Sequence, residues 1–314
     1  MHESTHAFGP DQGLIGTLTL PAAHTGAPAA PCGMVLFNAG VVHRVGPHRI
    51  NVKLARELAR HGIPSIRFDL HGMGDSLGAD GQRSYPQQVV LDLQAAMDML
   101  QAATGVQRFT LLGFCSGALP SYWTAQQDTR VRHIILYDAF SLQTAKSRRL
   151  YLVLRLRNHG FSPAALALYF RRVACALGAL PSQLQARLSR NRAERAHDGV
   201  ERLTRAKLAE RFAALAQRNV RVTVLHSGAD FSNVNHPEQI VEAIGIQRAG
   251  VAGLDLQTGF LMSIDHIVTS ISAQGLFIDF ILTAVLGGCI GVTGIEQHAR
   301  AGLATPARSV VELR

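Results

Sequence analysis

Leu112-Gly113-Phe114-Cys115-Ser116-Gly117-Ala118 closes the apolar run Phe109-Thr110-Leu111-Leu112, and the reading of this stretch decides the fold. A short apolar strand, a glycine two places before a reactive residue and a second glycine two places after it describe a strand that turns sharply into a helix. In that turn the two backbones approach closely, so side chains at 113 and 117 would collide, and glycine at both positions meets the demand. The tip of the turn is Cys115, where serine is the commoner residue, and Ser116 stands one place too late to take it. A thiol held there would lie at the N-terminus of the next helix, where aligned peptide dipoles favour the thiolate.

Outward from the turn, strand and helix patterns alternate. Upstream, 15–20 alternates like an edge strand, 21–31 is an Ala/Pro/Gly-rich loop, and Met34-Val35-Leu36-Phe37 is too short for a helix and suits a covered strand. Over 48–61, Ile50, Leu54 and Leu58 share one helical face and Gly62 follows as a cap. A strand is expected over 63–68, a helix over 86–100, a strand over 106–112, a helix from 117 and a strand over 131–137. Near-continuously apolar strands at this spacing indicate right-handed βαβ units and a mostly parallel central sheet covered by helices on both faces, an α/β fold. From 141 to 219 only helical signatures occur, and the sheet pattern resumes at 220–225. A short helix after Pro237, a last strand near 251–256 and a packed helix over 273–286 complete the pattern. The expected organisation is a core of 1–140 and 219–286, a helical cap insertion over 141–218, and a loosely held tail over 287–314.

A hydrophobic content of 47% excludes a disordered chain. The formal charge of +9 is concentrated: 146–211 holds 15 Lys/Arg against 4 Asp/Glu, leaving the rest of the chain slightly acidic. Such a segment suits solvated helix faces or a basic lid over an anionic ligand, and nothing in it points to nucleic acid. Cys32, Cys115, Cys175 and Cys289 lack the C-x-x-C spacing of a zinc knuckle or redox dithiol, and fit a reduced compartment better than a disulfide framework. The first residues lack the charged and apolar regions of a signal peptide, and 276–286 is short and contains Asp279, so stable membrane insertion is not expected and the cytoplasm is.

Asp69-x-x-Gly-x-Gly-Asp75-Ser76 is glycine-rich but lacks both the dinucleotide opening and the Gly-Lys-Ser/Thr of a phosphate loop. It reads as a turn that supports the site, with no cofactor and no metal required. Asp230 lies just past the first strong strand after the insertion, where a parallel sheet delivers side chains to its crevice. His266 lies in a polar loop before the last helix, with Asp265 beside it as a rival acid that is poorly placed to orient its neighbour's ring. An oxyanion site would use the backbone N–H of Ser116 and that of Gly40 or Val41, on the loop after the strand 34–37. His43, Arg44, His48 and Arg49 crowd the same loop, and Arg44, with His43 beside it, could meet a substrate carboxylate.

Taken together, the glycine-flanked tip and the order Cys115, Asp230, His266 resemble the α/β-hydrolase superfamily. Within it, Asn38-Ala39-Gly40, the His43-Arg44-x-Gly46-x-x-Arg49 continuation, Arg67-Phe68-Asp69-x-x-Gly72-x-Gly74-Asp75-Ser76 and Asp265-His266-x-x-Thr269 look like the hydrolases associated with exosortase and exopolysaccharide gene clusters. The likeness covers roughly 33–140 and 220–283. The likeness fixes no substrate; the residues themselves lead to the expectation of a cysteine-nucleophile enzyme cleaving an ester, lactone or thioester through an acyl-enzyme, with His266 as base and Asp230 fixing its tautomer. Cysteine at the tip also occurs in families similar to dienelactone hydrolase and polyhydroxyalkanoate synthase, so an acyltransferase fed by CoA or an acyl carrier protein is the second expectation. A non-catalytic binding protein on the same fold is the third.

Overall fold

The structure, a computed structural model, describes residues 1–22, 30–159, 204–245 and 253–289. The chain opens with strands β1 (His2–Phe8) and β2 (Leu14–Leu20), then β3 (Gly33–Leu36), helix α1 (Ile50–Arg60), β4 (Ser65–Phe68), α2 (Tyr85–Thr104) and β5 (Phe109–Phe114). It continues through α3 (Ala118–Gln127), β6 (Val131–Tyr137), α4 (Ala145–His159), α5 (Arg205–Gln217) and β7 (Arg221–Ser227). The last described elements are α6 (Gln239–Ile244), β8 (Leu256–Leu261) and α7 (Ile271–Cys289). Eight strands form one sheet in the order β1-β2-β4-β3-β5-β6-β7-β8; β2 is antiparallel to both β1 and β4, and every pairing from β4 to β8 is parallel.

The parallel strands are apolar on both faces because both faces are covered. Val35, Ile66, Phe68, Phe109, Leu111, Ile134 and Leu136 pack on one side with Leu93 and Met97 of α2 and Phe212 of α5. Their alternate neighbours Met34, Leu36, Leu112, Phe114, Ile135 and Tyr137 pack on the other with Leu54 and Leu58 of α1 and Phe277 and Ile281 of α7. The period-two swap of side chains along each strand is what divides the core between the faces. Helix α2 starts at a Ser84–Gln87 capping box and ends at Gly105, whose left-handed φ of 76° suits glycine.

Three elements and one cysteine differ from expectation. β1 is an additional strand whose side chains, apart from Phe8, are exposed or half-exposed, so its sequence carries no apolar period. It takes the sheet edge and moves β2 inward. β8 lies five residues later than expected, because its half-exposed residues lack clear alternation. Helix α7 exceeds the expected 273–286 at both ends. Cys32 is disulfide-bonded, whereas the cysteine spacing suggested thiols throughout.

Between β6 and β7 the chain leaves the sheet as a helical insertion, of which α4 and α5 belong to the described residues. Most of the arginine-rich stretch, and the expected tail beyond 289, lie outside them. Among the described residues no helix is long and apolar enough to cross a membrane.

Candidate active site

β5 runs without a break into the sharp turn. Cys115 adopts φ 52°, the left-handed region that costs a residue with a Cβ of order 1–3 kcal/mol and persists where the surroundings enforce it. They do so here by close approach. A Cβ on Gly113 would stand 2.7 Å from the Gly117 carbonyl oxygen and from Ser121 Oγ, and one on Gly117 would stand 3.1 Å from the Phe37 ring. The sequence expectation of a strained, glycine-flanked tip is met by the backbone, and the half-buried Cys115 thiol is free.

His266 lies in the loop between β8 and α7. Its ring stacks over Tyr137 at the end of β6 (centroids 6.4 Å apart, planes 15° apart) and meets Phe114, the residue before the tip, edge-on at 5.9 Å. The loop is pinned beneath it: Tyr137 Oη donates to the Asp265 carbonyl at 2.9 Å, and the Thr269 amide donates to the Asp265 carboxylate at 2.7 Å. The Thr269 hydrogen bonds hold that carboxyl below its ordinary range, while burial pushes the Tyr137 phenol up.

The partner of His266 is Asp138, one residue past β6, with Oδ2 2.8 Å from Nδ1. Three further bonds fix this carboxylate and its backbone. Ser227 donates its amide to Oδ1 and its hydroxyl to Oδ2, both at 2.6 Å, and the Asp138 amide donates to the Leu225 carbonyl at 2.9 Å. With Nδ1–H given to the carboxylate, Nε2 is left with the lone pair that can accept a proton. Asp230 is not the acid that the ring touches. It accepts from Asn233 Nδ2 at 2.8 and 3.0 Å and from Ser232 Oγ at 3.1 Å, closing its own turn. Both carboxylates line a cavity of about 220 Å³ with Ser141, His226, Ser227 and His266. Burial lowers the pKa of His226, which favours its neutral form. Asp138 escaped the sequence reading although the rule that nominated Asp230, an acid just past a parallel strand, applies to it equally.

The loop after β3 is the other wall. Buried Asn38 donates Nδ2 to Asp69 Oδ1 (2.9 Å) and to the Val42 carbonyl (2.7 Å), while its Oδ1 accepts from the Leu70 amide (2.7 Å). Gly40, at φ 57°, donates its amide to Ser116 Oγ at 2.7 Å, whereas Val41 is 89% exposed. Arg44 does not face a substrate as expected: its amide and guanidinium are both bound by Asp69, and the guanidinium also by Asp75. His43 sits 3.4 Å from Asp69 and 3.3 Å from Asp75. Hydrogen bonds from Arg44 and then His43 hold Asp75 below its usual range. His43, Asp69 and Asp75 bring ligand-type atoms within 4.8 Å of one another, but the Arg44 guanidinium already supplies positive charge to both carboxylates. Gly74 completes this knot, since a Cβ there would stand 2.3 Å from Asp69 Cγ.

Solved structures share this architecture. An alpha-beta serine hydrolase homologue from Coxiella burnetii is 13% identical, with 90% of this chain and 97% of that one covered at a TM-score of 0.50. The alpha/beta hydrolase GrgF from a Penicillium species is 15% identical, covering 92% and 98% at 0.50. A proline iminopeptidase from Mycobacterium smegmatis is 16% identical, covering 92% and 99% at 0.50. At such identities the likeness is one of fold. No curated protein matches the sequence.

A family model described as serine aminopeptidase, S33, matches residues 30–231, a span that includes the Asn38 loop, the elbow and Asp138. This match overturns the expected membership of a cysteine-nucleophile group like the exosortase-associated hydrolases, and with it the expected cysteine acyl-enzyme. The strand spacing, the flanking glycines and the loop after β3 carry the family, and they are indifferent to one atom at the tip. Well over half of the sequence lies inside the match, and the chain belongs to the serine aminopeptidase, S33, family.

Proposed function

We propose that this protein is a hydrolase of a small-molecule carboxylic acid derivative, working where the Cys115 turn, the Gly40 loop and His266 converge. The observation that carries the reading is the 2.8 Å bond from His266 Nδ1 to an Asp138 carboxylate that Ser227 holds with two donors. A base of this kind takes the proton of the water that attacks the carbonyl carbon and delivers it to the leaving group. Asp138 keeps the ring in the tautomer with Nε2 free and stabilises the imidazolium that forms. Negative charge then develops on the carbonyl oxygen, and the Ser116 backbone amide and the Gly40 side of the loop are the donors nearest the turn.

The family description and the fold likeness to a proline iminopeptidase favour amide or ester substrates. The 15 Lys/Arg of residues 146–211 favour an anionic handle on the substrate, such as CoA or an acyl carrier protein.

The test is a panel of p-nitrophenyl esters, amino-acid p-nitroanilides and acyl-CoAs, assayed with the native protein and with His266→Ala. Turnover that falls by roughly 10³-fold or more in the variant is expected. Equal turnover in both proteins, or none in either, would remove the hydrolase reading.

A further inference from the structure

We propose that the Ser116 side chain is itself a catalytic group: its hydroxyl passes the hydrogen bond of the Gly40 amide on to the oxygen that becomes negative during hydrolysis. The proposal rests on the hydrolase reading above and goes beyond the backbone donors named there.

The Gly40 amide, the loop's natural donor to that oxygen, is already engaged, because it donates to Ser116 Oγ at 2.7 Å. The loop cannot easily turn it elsewhere, since Asn38, two residues before, is tied at once to Asp69, Leu70 and Val42. Ser116 is exposed, directly follows the tip of the turn, and among the described residues its hydroxyl has no acceptor for its own proton. A hydroxyl that accepts from an amide is polarised and becomes a stronger donor through the proton it retains. That proton rotates about the Cβ–Oγ bond and can follow a carbonyl oxygen as it moves from its planar to its tetrahedral position. No covalent bond changes at Ser116: the chain amide–hydroxyl–oxyanion is made of hydrogen bonds throughout.

The opposite role is a plug, in which Ser116 merely fills the place of the substrate oxygen and must swing out. The two roles differ in sign. A relay loses rate when the hydroxyl is removed; a plug loses an obstacle, so the Gly40 amide is freed and turnover stays or rises.

The experiment compares native protein, Ser116→Ala, Ser116→Thr and His266→Ala on p-nitrophenyl butyrate, with kcat and KM resolved and thermal midpoints measured alongside. The relay is expected to show as a kcat lowered roughly 10–100-fold in Ser116→Ala with KM within about threefold, because the bond matters in the transition state. Ser116→Thr, which restores the hydroxyl, should recover most of that loss, and the thermal midpoints of both variants should match the native one. An unchanged or raised kcat in Ser116→Ala, with His266→Ala inactive, overturns the relay and leaves the hydrolase reading standing. Failure of Ser116→Thr to recover activity also overturns it. Native protein that leaves the ester intact, or a His266→Ala variant as active as the native one, overturns both.

Discussion

Asp138 Oδ2 and His266 Nδ1 meet at 2.8 Å across 128 positions of chain, and the carboxylate reaches the ring from the end of β6. Ser227 supplies two of its bonds and His266 the third, so the carboxylate is held in one orientation toward the ring. Asp138→Asn replaces an acceptor with a group that can donate to Nδ1, which favours the wrong tautomer. Turnover on whichever ester the panel selects is expected to fall on the order of 10³–10⁴-fold, with the fold retained by circular dichroism. Asp230→Asn should stay within a few-fold of native, because that carboxylate is spent on Ser232 and Asn233. The reverse ranking would return the acid to Asp230.

Asp69 makes a different kind of prediction. Fully buried, it accepts from Asn38, from the Arg44 amide, from the Arg44 guanidinium and from the Asp75 amide. Asp69→Asn removes the charge and leaves the largely buried Arg44 guanidinium with Asp75 as its remaining carboxylate. A loss of about 3 kcal/mol is expected in urea unfolding, as for one partner removed from a buried pair. A loss below about 1 kcal/mol would show that the loop holds its shape without this knot.

At the tip, the chain departs from its family by one atom. Cys115→Ser leaves the φ of 52° and the flanking glycines in place and gives the turn a hydroxyl. A single adduct with a fluorophosphonate is expected by intact mass, formed at least about 100-fold more slowly when His266→Ala is added, since the base must activate the hydroxyl. An unmodified protein would show that His266 does not serve this position.

His133 sets an acid limit on stability. Burial, reinforced by Arg221, lowers its pKa from 6.5 to about 3 in the fold; its Nε2 meets Thr223 Oγ1 at 2.9 Å. The native ring stays neutral while the unfolded ring binds a proton below pH 6.5, so the unfolded state gains protons as pH falls. Stability is therefore whole above pH 6.5 and declines toward pH 3, by on the order of 2 kcal/mol between pH 7 and pH 5. His133→Gln should flatten that limb in thermal melts recorded across the range, and an unchanged limb would refute the assignment.

What the sequence disclosed divides along physical lines. The buried strands and the elbow were legible because burial on two faces forces apolar runs, and close backbone approach forces Gly113 and Gly117. β1 was not, because an exposed edge imposes no period on its side chains. His266 was found by chain order, but its partner is decided by reach between strand ends. Tyr137-Asp138 and the Asp230 turn both follow parallel strands, and only their reach to the ring separates them. Arg44 was misread for a related reason: a charged residue in a glycine-rich loop looks available until its carboxylates are located. The narrower family likeness went astray because it rested on short loop motifs (Asn38–Gly40, His43–Arg49, Arg67–Ser76 and Asp265–Thr269), which say little about the scaffold around them.

The turn at Asp230, released from proton transfer, has mechanical work instead. Asn233 Oδ1 accepts from Gln143 at 2.6 Å, Asn235 donates to the Ser147 carbonyl at 2.8 Å, and Glu242 takes Lys146 at 3.1 Å. These contacts bracket the first turn of α4, seven residues after the acid. Substitutions along 230–242 would thus adjust the seating of the insertion's first helix while the Asp138–His266 pair stays untouched.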